Sequence, residues 1–484
     1  MEEFDPEEEF NLDDTEIERY VELFQIYFDD NSNNELPTTN LEIFEQVVNY
    51  LIIDFDLELA LKICNIWIDN APESIEAWNS MGVIYSAFGD YDASNICYDK
   101  ANEIDPKDPE ATLQKALNFS MTGNNYLAIK LIDHILEKEP DNEMALYHKN
   151  IIFQSIERYS EAIKILEKLH ELGEDEYPIY ENLAYCYQAM KNYDKAIHYY
   201  QIAIEDNPDL YLLWYNLGLV HNLAGHKFQA IECLNNAIAL DNEIAYIHFA
   251  LASIYSQMGR LVQAIDCYTY AYELDPQNIE YIMNLATTLA DSGKYDLAIS
   301  LFSIMIKKNQ NIAVPFFGRS LCYDALGEYS KAITDIRKAI KIAPNNPDYL
   351  HSYASTLNKI NEDKKAIAVY KKCIEIAPDN LRAKTDLGEL YIKNKDYIKA
   401  RKILDSIIEI EPKWFEAYHL IAKTYLEVDD YESAAKYLYE LTKVDPIMKA
   451  KLINEQPDFY EDLKQKGANN SISIKQNKLK NKDK

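Results

Sequence analysis

A fixed spacing of 34 residues separates most of the prolines in this chain. Nine of its sixteen prolines fall on one series of positions that runs from 72 to 446 without an insertion or deletion. They are Pro72, Pro106, Pro140, Pro208, Pro276, Pro344, Pro378, Pro412 and Pro446. Proline cannot continue a helix and biases the residue before it away from helical angles. A period of this length indicates a stack of identical supersecondary units, which leaves no room for a separate catalytic domain.

Small side chains recur with the same period. Twelve residues before each position of the series stands an alanine, except at Ser94, and twenty-four residues before it a second small residue recurs, such as Gly82 or Gly218. Seventeen residues before it, six units carry a glycine: Gly89, Gly123, Gly225, Gly259, Gly293 and Gly327. Glycine at this place suits a left-handed residue that ends one helix before the next begins. Each unit is therefore predicted to contain a helix, a tight turn, a second helix and a turn marked by proline.

These residues resemble a known repeat pattern. The stretch from Trp214 through Leu217 and Gly218 to His221, followed by Ala230, is similar to the tetratricopeptide repeat pattern W-x2-LG-x2-Y…A-x3-F…P. The resemblance covers residues 75–448 as about eleven clear units, with departures such as Lys115 and Lys149 in the second and third. A degenerate unit at 41–74 keeps only Ala60 and Pro72. The resemblance implies an all-α fold, a right-handed α-solenoid superhelix of helix-turn-helix units over residues 41–448.

The segments outside the repeats differ in charge. Residues 1–14 are predicted to be an acidic disordered N-terminus, and residues 15–38 a capping helix and linker, since Thr15-x-x-Glu18 resembles a capping box. Residues 449–466 are predicted to form a polar capping helix, because an open repeat stack needs polar ends. Residues 467–484 are predicted to be a basic, lysine-rich disordered tail.

The charge and the cysteines indicate the class of partner and the compartment. The chain has a formal net charge of −33, which disfavours nucleic acid and anionic membrane as partners and favours basic ones. Neither a membrane-spanning run of apolar residues nor a secretory signal is visible, so we expect a cytoplasmic protein. The seven cysteines have no metal-ligand spacing and are odd in number, so we interpret them as reduced thiols.

Most glycines and two of the histidines, residue types that often serve in catalysis or ligand binding, stand at positions of the repeat pattern. Nine of the twelve glycines occupy repeat positions, so no phosphate-binding glycine loop can be assembled. His221 and His248 stand at aromatic positions of the repeat and are interpreted as packing residues. No spacing places a base beside a nucleophile. We therefore expect no enzymatic activity, no cofactor and no metal site.

The resemblance also implies where a partner would bind. In tetratricopeptide arrays, the first helix of each unit lines a concave groove, here through Tyr147, Tyr185, Leu212, Tyr215, Leu219, Tyr246, Phe249, Met283 and Phe317. Gln154, Glu181 and Gln188 stand at groove positions of the same units. Asn182, Asn216 and Asn284 share one repeat position and are similar to part of the asparagine ladder of O-GlcNAc transferase, whose amides hold a peptide backbone. Two alternatives stay open: the asparagines are common residues at a tolerant position, and the groove residues pack on neighbouring units.

The function expected from these features is protein interaction without catalysis. The chain is predicted to be a scaffold or adaptor that binds a peptide or protein segment in the concave groove. One alternative is a regulatory module that controls a partner enzyme, and another is a structural solenoid that self-associates end to end.

Overall fold

A computed structural model gives the fold. It describes residues 12–29, 36–173 and 178–455, together with residues 457, 458, 461, 464 and 465. Among these residues, the secondary structure is helical, with no strand. The predicted acidic N-terminus lies outside the described residues up to position 11, as do linker residues 30–35, position 174 of the proline series and the basic tail.

The helices fall into two compact units, residues 1–241 and residues 242–484. The first unit contains α1 (Asp14–Asp29), α2 (Leu41–Ile53), α3 (Leu57–Asn70), α4 (Ile75–Ala87), α5 (Tyr91–Ile104), α6 (Glu110–Met121), α7 (Asn125–Lys138), α8 (Glu143–Ser155), α9 (Tyr159–Leu172), α10 (Ile179–Ala189), α11 (Tyr193–Asp206), α12 (Tyr211–Leu223) and α13 (Lys227–Leu240). The second contains α14 (Ala245–Gln257), α15 (Leu261–Leu274), α16 (Ile279–Asp291), α17 (Tyr295–Lys308), α18 (Ala313–Ala325), α19 (Tyr329–Ile342), α20 (Pro347–Lys359), α21 (Asp363–Ile376), α22 (Leu381–Lys393), α23 (Tyr397–Ile410), α24 (Phe415–Leu426), α25 (Tyr431–Val444) and α26 (Pro446–Glu455).

Helices α2 to α25 pair into successive hairpins that follow the 34-residue period. The first hairpin, α2 with α3, occupies the unit that the sequence had marked as degenerate. It keeps the hairpin form because Phe44 and Trp67, both fully buried, stack with ring centroids 6.4 Å apart and supply an apolar core of their own. The all-α repeat solenoid predicted from the sequence is confirmed.

The turn between the two helices of each hairpin passes through a left-handed residue. All six glycines predicted for this position have positive φ, from 71° at Gly259 to 84° at Gly225. The other six hairpins place a residue with a side chain in the same conformation: Phe55, Glu157, Lys191, Asn361, Lys395 and Asp429. At Lys191 the amide donates to Gln188 O at 2.9 Å, and the next amide, of Asn192, donates to Tyr187 O at 2.8 Å. This hydrogen-bonded helix end, rather than glycine alone, fixes the turn.

The proline series marks a recurring hydrogen bond between consecutive hairpins. A side chain in the first turn of the next hairpin shares a hydrogen bond with the carbonyl at the series position. The pairs are Trp78 with Pro72 (3.0 Å), Trp214 with Pro208 (2.9 Å), His248 with Asn242 (2.9 Å) and Tyr418 with Pro412 (3.1 Å). The aromatic repeat position therefore links hairpins by a polar contact as well as by packing. His248 takes part in this link, in agreement with its interpretation as a structural residue.

Two basic residues that depart from the repeat pattern are paired with acids. Lys115 and Lys149 stand where other units carry leucine, such as Leu217. Lys115 Nζ pairs with Asp99, and Lys149 Nζ lies 2.6 Å from Asp133 Oδ1. Each acid lies on the second helix of the preceding hairpin, so the lysine stem can pack while its charge is compensated.

The helix before the first hairpin packs on it. Phe24 of α1 is fully buried, with its ring centroid 5.6 Å from that of Phe44 on α2. The capping box of α1 forms two residues earlier than predicted, because Glu16 N donates to Asp13 Oδ1 at 2.8 Å and Asp13 N donates to Glu16 Oε2 at 3.2 Å. The prediction of a box from Thr15 to Glu18 was wrong for this reason.

At the other end, α26 begins at Pro446, the last proline of the series, and Ile447 in its first turn is 81% exposed. Several residues of the predicted C-terminal capping helix, among them 456, 459 and 460, lie outside the described residues. Among the helices described, none combines the length and the apolar character needed to cross a membrane.

Candidate peptide-binding site

Three successive hairpins of the first unit border an open cleft with a volume of about 450 Å³. We call it the central cleft. It is lined by Tyr147, Gln154, Pro178, Glu181, Asn182, Tyr185, Gln188, Tyr200 and Asn216. Helices α8, α10 and α12, the first helices of their hairpins, supply all of these except Pro178 and Tyr200. Four residues predicted for the binding site, Tyr147, Asn182, Tyr185 and Asn216, therefore share one cavity.

The tyrosines give the central cleft an accessible aromatic surface. Tyr185 is 44% exposed and meets the ring of Tyr159 edge-on, with centroids 6.2 Å apart. Tyr147 is half-buried and packs against the apolar core of the unit. Because one edge of each ring is anchored while the rest is accessible, a ligand could pack against them with little loss of side-chain entropy.

Side-chain amides form the polar part of the central cleft. Gln154 Nε2 donates to Asn182 Oδ1 at 3.0 Å, and Asn182 Nδ2 donates to the carbonyl oxygen of Pro178 at 2.8 Å. These two bonds leave Asn182 a second N–H and a second lone pair for a ligand. Asn216 has no hydrogen-bond partner among the described residues, so its whole amide is available.

Burial favours the neutral forms of two ionisable groups of the central cleft, Glu181 and Tyr200. It raises the pKa of the Glu181 carboxyl, and it is also the main cause that raises the pKa of Tyr200, to which the nearby Glu181 and Tyr185 add. The Tyr200 hydroxyl, like that of an ordinary tyrosine, is neutral at physiological pH, and burial holds it further from ionisation. The sequence interpretation missed Tyr200, although the spacing Ala196-x3-Tyr200 matches the A-x3-F part of the repeat pattern and could have indicated an aromatic residue there.

The predicted residues of α12 other than Asn216 do not line the central cleft. Leu212, Tyr215 and Leu219 are each half-buried, whereas Leu213 and Leu217 on the packed face are buried. The helix therefore has one closed apolar face and a second apolar stripe that remains partly accessible.

In the second unit, the predicted groove aromatics pack within the array. The ring of Phe249 lies 5.4 Å from that of Tyr268 and 5.0 Å from that of Tyr281 on the next hairpin. The ring of Phe317 lies 4.6 Å from that of Tyr349. These contacts agree with the alternative in which groove residues pack on neighbouring hairpins.

The other predicted residues of the second unit are also engaged or partly covered. Asn284 donates its amide to Glu280 O of its own helix at 2.9 Å. Met283 packs against the core that contains Leu285, and Tyr246 is half-buried.

The cysteines and other potential ligands are dispersed. All seven cysteines are unpaired, and all but Cys267 are buried. Burial raises the pKa of the Cys186 thiol to about 12, so it remains protonated at neutral pH. Among the residues that the structure describes, no three His, Cys, Asp or Glu side chains are grouped so that they could hold a metal ion.

Solved structures of several helical repeat proteins are similar to this chain. Yeast Tom70 is 16% identical over 91% of this chain and 99% of that one, with a TM-score of 0.41. YrrB, described as a TPR protein with an unusual peptide-binding site, is 20% identical over 38% of this chain and 95% of its own, with a TM-score of 0.34. A tetratricopeptide repeat protein from Parabacteroides merdae is 16% identical over 51% of this chain and 98% of its own, with a TM-score of 0.40.

Comparison with curated protein sequences finds no match. Family models give a clearer result. Models described as tetratricopeptide repeat match residues 75–108, 210–376, 364–424 and 415–447. A model of the N-terminal TPR repeats region of Psidin matches residues 113–217. The matches follow one another along nearly all of the periodic region, and the hairpins of that region have the helical bounds that the repeat requires. The chain belongs to the tetratricopeptide repeat family.

Proposed function

We propose that this chain is a non-catalytic scaffold or adaptor that binds an extended peptide segment of a protein partner in the central cleft. The observation that carries the proposal is the gathering of tyrosines and amides from three consecutive hairpins around one open cavity. Helices that pack directly on one another are about 10 Å apart, which sets the scale of one step along a stack of hairpins. An extended peptide advances about 3.3 Å per residue, so roughly six residues would run from Tyr147 to Asn216.

The chemistry of the lining suits a peptide backbone. Each asparagine or glutamine amide can donate to a carbonyl and accept from an N–H, so a row of amides binds backbone with little regard to sequence. Tyr147 and Tyr185 would add apolar contact to alternate side chains. Asn216, whose amide has no partner in the described chain, is the residue that a ligand would engage at the lowest cost, since no existing bond is broken.

The proposed lack of catalysis rests on the repeat. The histidines at 221 and 248 and most glycines occupy positions that the packing of the hairpins dictates, and the thiols are held protonated by burial. We also propose that α1 closes the N-terminal end of the stack, because it buries Phe24 against the first hairpin.

Selection from a displayed random peptide library tests the proposal. Wild-type protein should enrich peptides that fail to bind Tyr185→Ala/Asn216→Ala, a variant that removes an accessible ring and an unpaired amide without emptying the core. The matched control is Tyr126→Ala/Asn65→Ala, which makes the same two changes at exposed positions on α7 and α3. Peptides that bind all three proteins equally, or no enrichment at all, would rule out the central cleft as the binding site.

A further inference from the structure

A second cleft lies near the N-terminal end of the first unit, between the start of α2 and the start of α4. Its volume is about 570 Å³, and it is lined by Leu41, Glu42, Glu45, Trp67, Ala71, Pro72, Glu73, Ser74 and Glu76. We call it the acidic cleft. Four carboxylates face it, and among its described lining residues there is no lysine, arginine or histidine.

The pKa of one carboxyl of the acidic cleft reflects the charges of its neighbours. The pKa of Glu45 is raised by its partial burial and further by the charges of Glu76 and Glu42. The charges of the acidic cleft also act on Glu110 of α6. Its pKa is raised mainly by burial, next by the charge of Asp108, and then by the charges of Glu76 and Glu45. Such mutual repulsion is relieved when a cation enters.

Trp67 gives the acidic cleft a second, independent feature, a buried donor without an acceptor among the described residues. Its side chain is 1% exposed and lines the acidic cleft, yet its indole Nε1–H has no acceptor among the described residues. No other hairpin carries an indole at the equivalent position, which holds a small residue such as Ala101 or an aliphatic one such as Leu169, so the repeat does not require an indole here. A buried N–H without an acceptor carries a desolvation cost that a ligand oxygen would remove.

These two features define what the acidic cleft would accept. The four carboxylates exclude an anionic acceptor and call for a cation, whereas the indole needs a neutral oxygen. A peptide that carries arginine provides both, because its guanidinium can bridge two carboxylates and a backbone carbonyl beside it can accept from the indole. We propose that the acidic cleft binds an arginine-bearing segment of a partner protein, at a site separate from the central cleft.

Binding of a defined probe to the full-length chain tests this proposal. The probe is a fluorescein-labelled peptide, Gly-Arg-Gly-Arg-Gly, and its control contains citrulline, an uncharged isostere, in place of arginine. At low salt, wild-type protein should bind the arginine probe in preference to the citrulline probe. Glu42→Gln/Glu76→Gln should weaken binding of the arginine probe by about tenfold, since it removes two charges that are screened little at low ionic strength.

Two further variants separate a site from general attraction to an acidic protein. Glu58→Gln/Asp69→Asn removes the same charge from exposed positions on α3 and should leave probe binding within about twofold of wild type if only the acidic cleft matters. Trp67→Phe keeps an aromatic ring but loses the donor, and should weaken binding of the arginine probe by about fivefold. Its helicity is checked by circular dichroism, so that affinity refers to folded protein.

Three results would overturn the proposal: equal binding of both probes, equal loss in the two charge variants, or unchanged affinity in both Glu42→Gln/Glu76→Gln and folded Trp67→Phe. The central-cleft variant Tyr185→Ala/Asn216→Ala should bind the arginine probe as wild type does. A loss there would place the basic peptide in the central cleft and would contradict a separate site.

Discussion

The guanidinium of Arg319 and the carboxylate of Asp335 form a two-point ion pair in the second unit. The distances are 2.7 Å from Nε to Oδ2 and 2.9 Å from Nη2 to Oδ1, and Nη1 donates to Ser303 Oγ at 2.8 Å. Asp335 is 3% exposed. Arg319 stands at the repeat position that Leu217 fills in α12, so a charged pair replaces an apolar contact inside the hairpin.

Removing one partner of this pair should lower the free energy of unfolding far more than replacing both partners by apolar residues. Arg319→Leu or Asp335→Leu alone should lower the free energy of unfolding by about 3–5 kcal/mol, because each leaves an uncompensated buried charge. Arg319→Leu/Asp335→Leu should be close to wild type, since well-packed apolar residues often replace a buried pair without loss. Urea titrations followed by circular dichroism measure the three values. Additive losses in the double variant would show that the pair is not coupled.

The left-handed turns predict a stabilising substitution. Lys191 and Lys395 are exposed and have φ of 60° at positions where other hairpins carry glycine. Lys191→Gly and Lys395→Gly should each raise the stability by about 1 kcal/mol, because a residue with a Cβ pays about that much or more in this conformation. The same change at Lys164, exposed in the middle of α9, should instead cost about 1 kcal/mol. Thermal unfolding distinguishes the two signs, and a loss of stability at all three sites would contradict the account.

The close approach of helices at two glycines predicts how much stability an added methyl group would cost at each. A Cβ built on Gly318 would lie 2.5 Å from Phe302 Cζ, whereas one on Gly218 would lie 3.0 Å from Leu234 Cγ, the branch of a more flexible side chain. Gly318→Ala should therefore cost about 1–3 kcal/mol through overpacking. Gly218→Ala should cost less, and Phe302→Leu should recover part of the loss at 318. Equal unfolding free energies for the two alanine variants would contradict this reading of the contacts.

Buried thiols predict a loss of stability in alkali. Burial raises the pKa of Cys64 and Cys186 to about 12, whereas an unfolded thiol titrates near about 8.5. These thiols contribute their full stabilisation at pH values below the pKa of the thiol in the unfolded chain. As the pH rises from that pKa toward the pKa in the folded protein, stability falls, because only the unfolded chain then releases protons. The slope is about 1.4 kcal/mol per pH unit for each thiol.

The urea midpoint measured from pH 8 to pH 10.5 tests that slope. Cys64→Ala/Cys186→Ala should show a shallower decline than wild type, whatever its starting stability. Cys267→Ala should remove about half as much of the slope as the double variant, because it is a single thiol whose pKa burial also raises, to about 11. An unchanged slope in the double variant would show that burial of these thiols does not govern the alkaline response.

The sequence predicted the hairpins because their packing repeats with the chain. Glycine at 225 suits a left-handed turn, and alanine at 230 permits the close approach of two helices. The spacing of such residues was therefore enough to predict the turns and the close contacts. Lys191 in a left-handed turn could not be predicted, since its conformation is fixed by hydrogen bonds of the helix end and not by its side chain. The partner of Arg319 could not be predicted either, because which of many acids a base meets depends on helix orientation.

The candidate site was predicted in part. Repeat positions placed Tyr147, Asn182, Tyr185 and Asn216 on one face, and these four line the central cleft. The same positions in the second unit gave Phe249 and Phe317, whose rings turn toward tyrosines of neighbouring hairpins instead. The rotation of a ring toward or away from its neighbour depends on the size of the adjacent side chains, which position in the repeat does not encode.

Photo-cross-linking from position 185 tests the binding of a peptide in the central cleft most directly. Benzoylphenylalanine replaces Tyr185 in one protein and Tyr126, an exposed tyrosine on α7, in another. A peptide selected on wild-type protein should cross-link from position 185 and not from position 126, with the attachment identified by mass spectrometry. Cross-linking from position 126 alone, or from neither position while the peptide still binds, would contradict the account.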